Sequence, residues 1–258
     1  MILAIDIGNT TTNFGVFEKG KLASQFSVGT QTNKTPDELT LQLKALAKTR
    51  KLHLARAKQI MICSVVPRML SVLSESLRSL DGIAQCIVDQ DIKVPLINKY
   101  QYPEQVGQDR LVGAYAAWAE YKKDCIVADF GTAITIDVVT KKGEYLGGVI
   151  APGLEISLEA LATRTALLPK VELKEPPELL GRDTANSIRS GLLYGCVALC
   201  DGLVTQLKRQ YAPKAVVVAT GGASGLIAKH AKTIDYLKPH LVLEGLYHLS
   251  LLGLSGRE

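Results

Sequence analysis

Histidine is scarce in this chain, with four residues among 258. His248 has no acid or nucleophile beside it in sequence, and none of the four is assigned a role. The five cysteines, Cys63, Cys86, Cys125, Cys196 and Cys200, are odd in number, form no C-x-x-C pair and sit in apolar surroundings. That pattern excludes a disulfide framework and reads as reduced, buried thiols of a cytoplasmic protein. Cys196 and Cys200 are four apart on an expected helix, but with no His or further Cys near them they do not make a metal site. No apolar run of about 18 residues is found, so no membrane span is expected. Asp6 interrupts the first apolar run with no basic segment before it, so no secretory signal is expected either.

Hydrophobic residues make up 47% and charged residues 21%, near globular averages, which argues against disorder and fibrous repeats. The net charge is +5 and the sequence pI about 8.9. Lys and Arg nevertheless come in scattered pairs, such as Lys122-Lys123 and Lys141-Lys142, rather than massed with aromatics, which are only 5% of the chain. This describes a solvated surface and not a nucleic-acid-binding one. A small anionic substrate is compatible with a mildly basic protein. The chain also has no G-x-x-x-x-G-K-[ST] P-loop and no protein-kinase motif set, which removes two nucleotide-binding solutions.

What is present is a repeated pattern. In Ala4-Ile5-Asp6-Ile7-Gly8-Asn9-Thr10-Thr11-Thr12-Asn13 an apolar run meets an acid and a tight turn, after which Phe14, Val16 and Phe17 resume strand-like residues. The pattern predicts a hairpin in which Gly8 and Asn9 take the φ > 0 conformations of the turn. Thr10, Thr11 and Thr12 add hydroxyls and N–H groups suited to phosphate. Taken alone, this stretch fits an ordinary hairpin with an exposed Asp equally well. The same order recurs at Ile126-Val127-Ala128-Asp129-Phe130-Gly131-Thr132-Ala133-Ile134-Thr135, about half the chain away. Two similar lobes, 1–121 and 122–258, each offering an acid-tipped hairpin to a central cleft, are therefore expected.

Between the hairpins, strand 21–28 leads to Thr35-Pro36-Asp37-Glu38, a capping box opening a helix with an apolar stripe at Leu39, Leu43, Leu46 and Ala47. Strand 57–66, helix 68–80 and strand 83–88 follow, completing an α/β lobe with a mixed sheet. Residues 89–106 read as a long, Pro-rich loop holding Tyr100 and Tyr102, the kind of loop that is often functional. It ends at Gly107-Gln108-Asp109-Arg110, the start of a helix to about Tyr121. Asp109 alone reads as an acid favoured by the helix dipole, whereas Arg110 opposes that dipole and asks for another reason. The second lobe continues with strand 144–150, the glycines of Gly147-Gly148-Val149-Ile150-Ala151-Pro152-Gly153, helix 154–162 and an exposed connection, 169–177. A long helix from Thr184 to about Tyr211 carries Gly191 and Gly195, which let another helix approach. Strand 214–219 ends in the turn Thr220-Gly221-Gly222, a short helix reaches about His230, and a last helix spans 241–252.

Two acid-tipped hairpins with N–H and hydroxyl donors make a clasp for Mg²⁺ and nucleotide phosphates, because phosphoryl transfer needs mainly positioning and charge neutralisation. Asp109 is placed to accept the proton of an attacking hydroxyl, and Arg110 to bind an anionic group on that substrate. A small-molecule kinase accounts for all of these features.

The order and spacing of Asp6-Ile7-Gly8-Asn9-Thr10, Gly107-Gln108-Asp109-Arg110, Asp129-Phe130-Gly131-Thr132-Ala133, the Gly147 to Gly153 run and Thr220-Gly221-Gly222 resemble the type III pantothenate kinase family, essentially end to end. The resemblance implies the acetate and sugar kinase, Hsp70 and actin fold: two duplicated, ribonuclease H-like α/β lobes with mixed sheets and a nucleotide cleft. It implies ATP-dependent phosphorylation of pantothenate to 4′-phosphopantothenate, the first step of coenzyme A biosynthesis, by a cytoplasmic homodimer without nucleic-acid or membrane partners. By resemblance, Asp6, Ile7, Gly8, Asn9, Thr10, Thr11, Thr12 and Asn13 bind the ATP phosphates, with Asp6 near Mg²⁺. Thr132, Gly221 and Gly222 bind ATP from the other lobe, and Asp129 holds a monovalent cation, K⁺ or NH₄⁺. Asp109 is the catalytic base, and Tyr100, Gly107, Gln108, Arg110 and Thr184 line the pantothenate site, Thr184 across the dimer interface. Gln108 departs from the family, which more often has Ala there. The alternatives are a non-catalytic regulatory or accessory member of the same fold family, against which the intact Asp6, Asp109 and Asp129 argue, and an actin- or chaperone-like ATPase.

Overall fold

The computed structural model describes residues 1–52, 56–78 and 83–254. They form two compact units, one of Met1–Pro95, Glu104–Ala116 and the chain from Val242 onward, the other of Leu96–Pro103 and Ala117–Leu241.

The first unit runs β1 (Ile2–Ile7), β2 (Thr11–Glu18), β3 (Lys21–Gly29), α1 (Pro36–Thr49), β4 (Gln59–Ser64), α2 (Pro67–Arg78) and β5 (Ala84–Ile87). The sheet order is β3-β2-β1-β4-β5, antiparallel along the opening meander and parallel from β1 to β5. Strand alternation sends Leu3, Ile5, Ile7, Phe14, Val16, Ile60 and Ile62 to one face. There they pack with Leu39 and Leu43 of α1 and Met69 and Leu73 of α2. The start of α1 is fixed by the expected capping box: Glu38 N donates to the Thr35 hydroxyl and Thr35 N donates to the Glu38 carboxylate. The hydrogen bonds from Thr35, the backbone one foremost, hold the Glu38 carboxyl below its ordinary range.

In the second part of the chain come β6 (Ile97–Asn98), α3 (Gln108–Tyr121), β7 (Cys125–Phe130), β8 (Ala133–Val139), β9 (Glu144–Pro152), α4 (Leu154–Arg164), α5 (Thr184–Gln210), β10 (Val216–Thr220), α6 (Ser224–Ala228), β11 (Tyr236–Leu237) and α7 (Leu241–Leu254). The second sheet has the order β11-β10-β7-β8-β9-β6. Taken from β9 to β11 it repeats the first sheet strand for strand, with β7–β8 and β8–β9 antiparallel and β7–β10 and β10–β11 parallel. The duplication expected from the two Asp motifs is thus present in the topology. Ile126, Ala128, Phe130, Ile134, Ile136, Val217 and Ala219 form the second core with Leu193, Cys196, Cys200 and Val204 of α5 and Ile227 of α6. By length and composition α5 is apolar enough to cross a membrane, which the sequence reading did not anticipate; Leu193, Cys196, Val197, Cys200 and Val204 on one side of it are buried in this core, and Leu192, Leu199, Leu203 and Leu207 pack against it partly buried.

Two short strands and the division between the units differ from expectation. Residues 89–106 are not wholly loop, because β6 adds to the edge of the second sheet beside β9, pairing Ile97 with Glu144 and Asn98 with Tyr145. The two-residue strand β11 is too short to leave a pattern. The helix expected over 68–80 is described over Pro67–Arg78, and positions 79 and 80 lie outside the described residues. The division at 121/122 shifts, because α7 belongs with the first sheet from Val242 onward. Tyr247 stacks on Phe17 with ring centroids 4.7 Å apart, and Leu243 reaches to 3.1 Å of where a Gly15 side chain would begin. All five cysteines are free thiols; Cys86 is half-buried, and the other four are buried. Burial pushes Cys125 and Cys200 up to about 12 and Cys196 to about 11.

The seating of α7 against α3 depends on Gly245, where a Cβ would stand 2.6 Å from the Val112 carbonyl oxygen and 2.7 Å from a Val112 methyl. Gly245→Ala is expected to destabilise the protein by about 1–3 kcal/mol despite its better helix propensity. Thermal unfolding checks this: a lowered Tm is the predicted outcome, and an unchanged or raised Tm contradicts the packing.

Candidate active site

Asp6 occupies the fifth of six positions in β1, after three fully buried residues and before the buried Ile7. The hairpin that follows closes over residues 8–10, with Gly8 N donating to Thr11 O at 3.0 Å and Thr30 N to Thr10 O at 2.9 Å. Neither Gly8 nor Asn9 has a positive φ, against expectation, because this longer loop needs no left-handed residue. Glycine at position 8 instead meets a close approach, since a Cβ would lie 3.1 Å from Thr11 O. Asn9, Thr10 and Thr11 are exposed at the tip, whereas Thr12 is fully buried in β2. The Thr30 hydroxyl gives its one proton to Gly8 O at 2.8 Å. The Thr12 hydroxyl is therefore the donor to Thr30, 3.0 Å away. Asn13, opposite Asp6 in the ladder, donates its side-chain amide to Asp6 Oδ2 at 3.4 Å and accepts from the Ser27 hydroxyl at 2.7 Å.

On the other side of β1, Asp6 pairs with Cys63 of β4. The chain leaves β4 at Val65, whose side chain lies 3.5 Å from where a Gly107 Cβ would be. Asp109 is in the first turn of α3, as expected, and Arg110 N donates to its Oδ1 at 2.8 Å. The same oxygen lies 2.5 Å from the Cβ position of Gly107, so a side chain at 107 would displace the carboxylate. The Cys63 thiol is pushed well above the ordinary thiol range, by burial first and then by the charges of Asp6 and Asp109. Asp6 and Asp109 thus flank the exit of β4, one through the β1–β4 ladder and the other through the approach of Gly107 to Val65.

Asp129 repeats the Asp6 position, fifth of six in β7. It pairs with Thr135 of β8 and with Thr220 of β10. Gly221 follows at φ +90°, and a Cβ there would fall 2.2 Å from Asp129 Oδ1 and 2.7 Å from the Phe130 carbonyl carbon, so only glycine fits. Gly131 approaches the same oxygen, its Cβ position 3.4 Å away. Gly153 N donates to Thr132 O at 3.1 Å. Asp129, Gly131, Thr132, Gly153 and Gly221 are thus brought together, and Gly222 beside them faces open space. The Tyr100 ring covers Gly147, 3.1 Å from its Cβ position. Thr184 is the exposed first residue of α5, behind the cap Asp183. Backbone and side-chain hydrogen bonds from Asn186 hold Asp183 below the ordinary aspartate range. Among the described residues no group of three or more His, Cys, Asp and Glu forms a ready-made metal site.

Sequence reasoning passed over Cys63 as one more buried thiol, and strand register alone places it beside Asp6. It also passed over Asp137 and Tyr145, although an acid inside the apolar run Ile134–Val139 is a usable signal, since a carboxylate is rarely buried without a partner.

The family model for type III pantothenate kinase matches residues 2–206. A type III pantothenate kinase of Moorella thermoacetica is 40% identical over 246 residues, covering 95% of this chain and 97% of the relative. Among solved structures, a conserved Campylobacter jejuni protein assigned to a Baf family of transcriptional activators superposes with TM-score 0.61 at 19% identity, covering 98% and 99% of the two chains. The activator of 2-hydroxyisocaproyl-CoA dehydratase from Clostridium difficile, with bound ADPNP, superposes with TM-score 0.54 at 13% identity, covering 99% and 97%. These two likenesses speak for the duplicated α/β fold alone. With the family model spanning most of its length and a relative at this identity, the chain belongs to the type III pantothenate kinase family.

Proposed function

We propose that the chain transfers the γ-phosphoryl group of ATP to the primary hydroxyl of pantothenate, using Asp109 as the base and the Asp6 hairpin as the phosphate clasp. ATP-dependent phosphorylation of pantothenate, the first step of coenzyme A biosynthesis, is the activity of the family to which the chain belongs. The observation that carries the residue assignment is the exit of β4, where Cys63 pairs with Asp6 and Val65 lies 3.5 Å from the Cβ position of Gly107, two residues before Asp109. It puts the phosphate hairpin and the loop–helix junction in one locality of the first unit.

Transfer to a hydroxyl requires a proton acceptor close to the attacking oxygen and donors around the phosphates. Asp109 supplies the acceptor, its orientation set by the bond from Arg110 N and by the missing side chain at Gly107. The Arg110 guanidinium pairs with the pantothenate carboxylate, a charge-assisted contact suited to its planar fork. The family resemblance assigns Gly107 and Gln108, and in the second unit Tyr100 and Thr184, to pantothenate as well. The backbone from Ile7 to Thr11 meets the phosphates, with the Thr10 and Thr11 hydroxyls, while Thr12 and Asn13 brace the hairpin from behind. In the second unit Thr132, Gly221 and Gly222 are assigned to the nucleotide.

Mg²⁺ fits beside Asp6, whose half-buried carboxylate near the end of β1 precedes a hairpin tip bearing the exposed Thr10 and Thr11 hydroxyls, oxygen donors of the kind a hard cation takes. When bound, the ion offsets charge on the phosphates. Asp129, closely flanked by Gly131 and Gly221, offers an oxygen donor to K⁺ or NH₄⁺. A homodimer is supported by α5, where Gly191, Gly195 and Gly202 have nothing within 4 Å of their Cβ positions and leave a face that a helix of a second copy can approach closely. Reduced thiols fit a cytoplasmic enzyme.

Asp109→Asn is expected to lower kcat by about 10²–10⁴-fold with little change in the KM for ATP, read by coupled ADP release with pantothenate, Mg²⁺ and K⁺; full activity in this variant contradicts the base assignment. Light scattering should give a dimer for the native chain and a monomer for Gly195→Leu, whose helix propensity is improved. A native monomer, or an unaltered dimer in the variant, contradicts the α5 interface.

A further inference from the structure

Tyr145 and Asp137 form a buried pair on the Asp129 face of the second sheet. Tyr145 is 0% and Asp137 2% exposed, and the Tyr145 hydroxyl donates to Asp137 Oδ1 at 2.7 Å. Val127 faces Asp137 across the β7–β8 ladder, two residues before Asp129, so both acids project to one side of the sheet. Burying a carboxylate is costly, and an apolar residue at position 137 would serve the core as well.

The geometry around the pair leads to Tyr100. The backbone oxygen of Tyr145 accepts from Lys99 N at 2.9 Å, and the backbone oxygen of Gly143 from Ile97 N at 2.8 Å. These bonds lay β6 along β9, with Asn98 opposite Tyr145. Asn98 Oδ1 in turn accepts from Tyr100 N at 3.0 Å. Two residues past Tyr145, Gly147 takes φ +117° beneath the Tyr100 ring, and a Cβ on Gly148 would lie 2.3 Å from Asp137 Oδ1. The β8–β9 register shifts between Val138 and Val139 at this place. Such bulges re-aim nearby side chains. One side-chain bond, Tyr145 to Asp137, therefore pins the irregular turn of β9 on which Tyr100 rests.

We infer that Tyr145 and Asp137 are positioning residues for Tyr100, fixing how tightly the acid substrate is held without touching it. The inference rests on the reading that Tyr100 lines the pantothenate site. Tyr145→Phe removes the hydroxyl and keeps the ring, and Asn98→Ala removes the support of Tyr100 N at an accessible sheet edge. Each is expected to raise the KM for pantothenate about 3- to 10-fold while leaving kcat and the KM for ATP within about twofold, the signature of lost ground-state positioning. Tyr100→Ala is the control and should raise the same KM at least as much. If Tyr100→Ala raises it and Tyr145→Phe and Asn98→Ala do not, the positioning inference is overturned and the Tyr100 assignment stands. If Tyr100→Ala leaves it unchanged, the assignment fails and the inference with it. A loss in Tyr145→Phe that falls equally on both substrates, alongside a lowered Tm, marks a structural role and also overturns it. Should Tyr145→Phe not fold, Asp137→Asn, which weakens the same bond by removing the charge of its acceptor, decides in its place by the same KM readout.

Discussion

A carboxylate can be held rigidly beside an apolar core only where the strand that carries it is about to leave that core. In β1 and β7 the residues before the acid are buried, the acid itself is half-buried, and one more apolar residue anchors the strand end behind it. Each strand is central in its sheet, paired antiparallel on one side and parallel on the other. The parallel partner must therefore finish at the same edge, where it delivers its own exit loop next to the acid: Val65 beside Asp6, Gly221 beside Asp129.

The two copies of the arrangement have different partners. Around Asp6 the ladder supplies Asn13 and Cys63, and α3 adds Asp109 from the same unit, so this edge gathers negative charge. Around Asp129 it supplies Thr135 and Thr220, and glycines press close to the carboxylate. An edge with two acids suits a divalent cation, phosphates and a proton acceptor. An edge with one acid among backbone and hydroxyl oxygens suits a monovalent cation and the neutral parts of a nucleotide. Duplication followed by this divergence has given one acid position two different surroundings.

Much of this was legible in the sequence because it rests on short-range rules. The strand–Asp–turn order announced both central strands, the capping box marked α1 within a residue, and Gly107 before Asp109 marked the start of α3. What stayed hidden depends on long-range register. Cys63 becomes the neighbour of Asp6 only through β1–β4 pairing, and the return of α7 to the first sheet depends on a fit between Gly245 and Val112 that no local pattern encodes. The edge strand β6, two residues long, has no periodicity to detect. Gly8 and Asn9 show the opposite failure, where a turn-favouring composition suggested left-handed backbone that a three-residue loop did not require. Gly221, which does need it, stands in a Thr-Gly-Gly turn whose sequence does not say which glycine is left-handed.

The central claim is that the Asp6 edge and Asp109 together direct the γ-phosphoryl group to a substrate hydroxyl and not to water. Phosphorus NMR of a reaction with ATP, Mg²⁺, K⁺ and pantothenate tests it directly, because a phosphate monoester and inorganic phosphate resonate apart. The account predicts that the monoester 4′-phosphopantothenate appears in step with ADP and that little phosphate is released. ATP consumption yielding only inorganic phosphate, whether or not pantothenate is present, would contradict it.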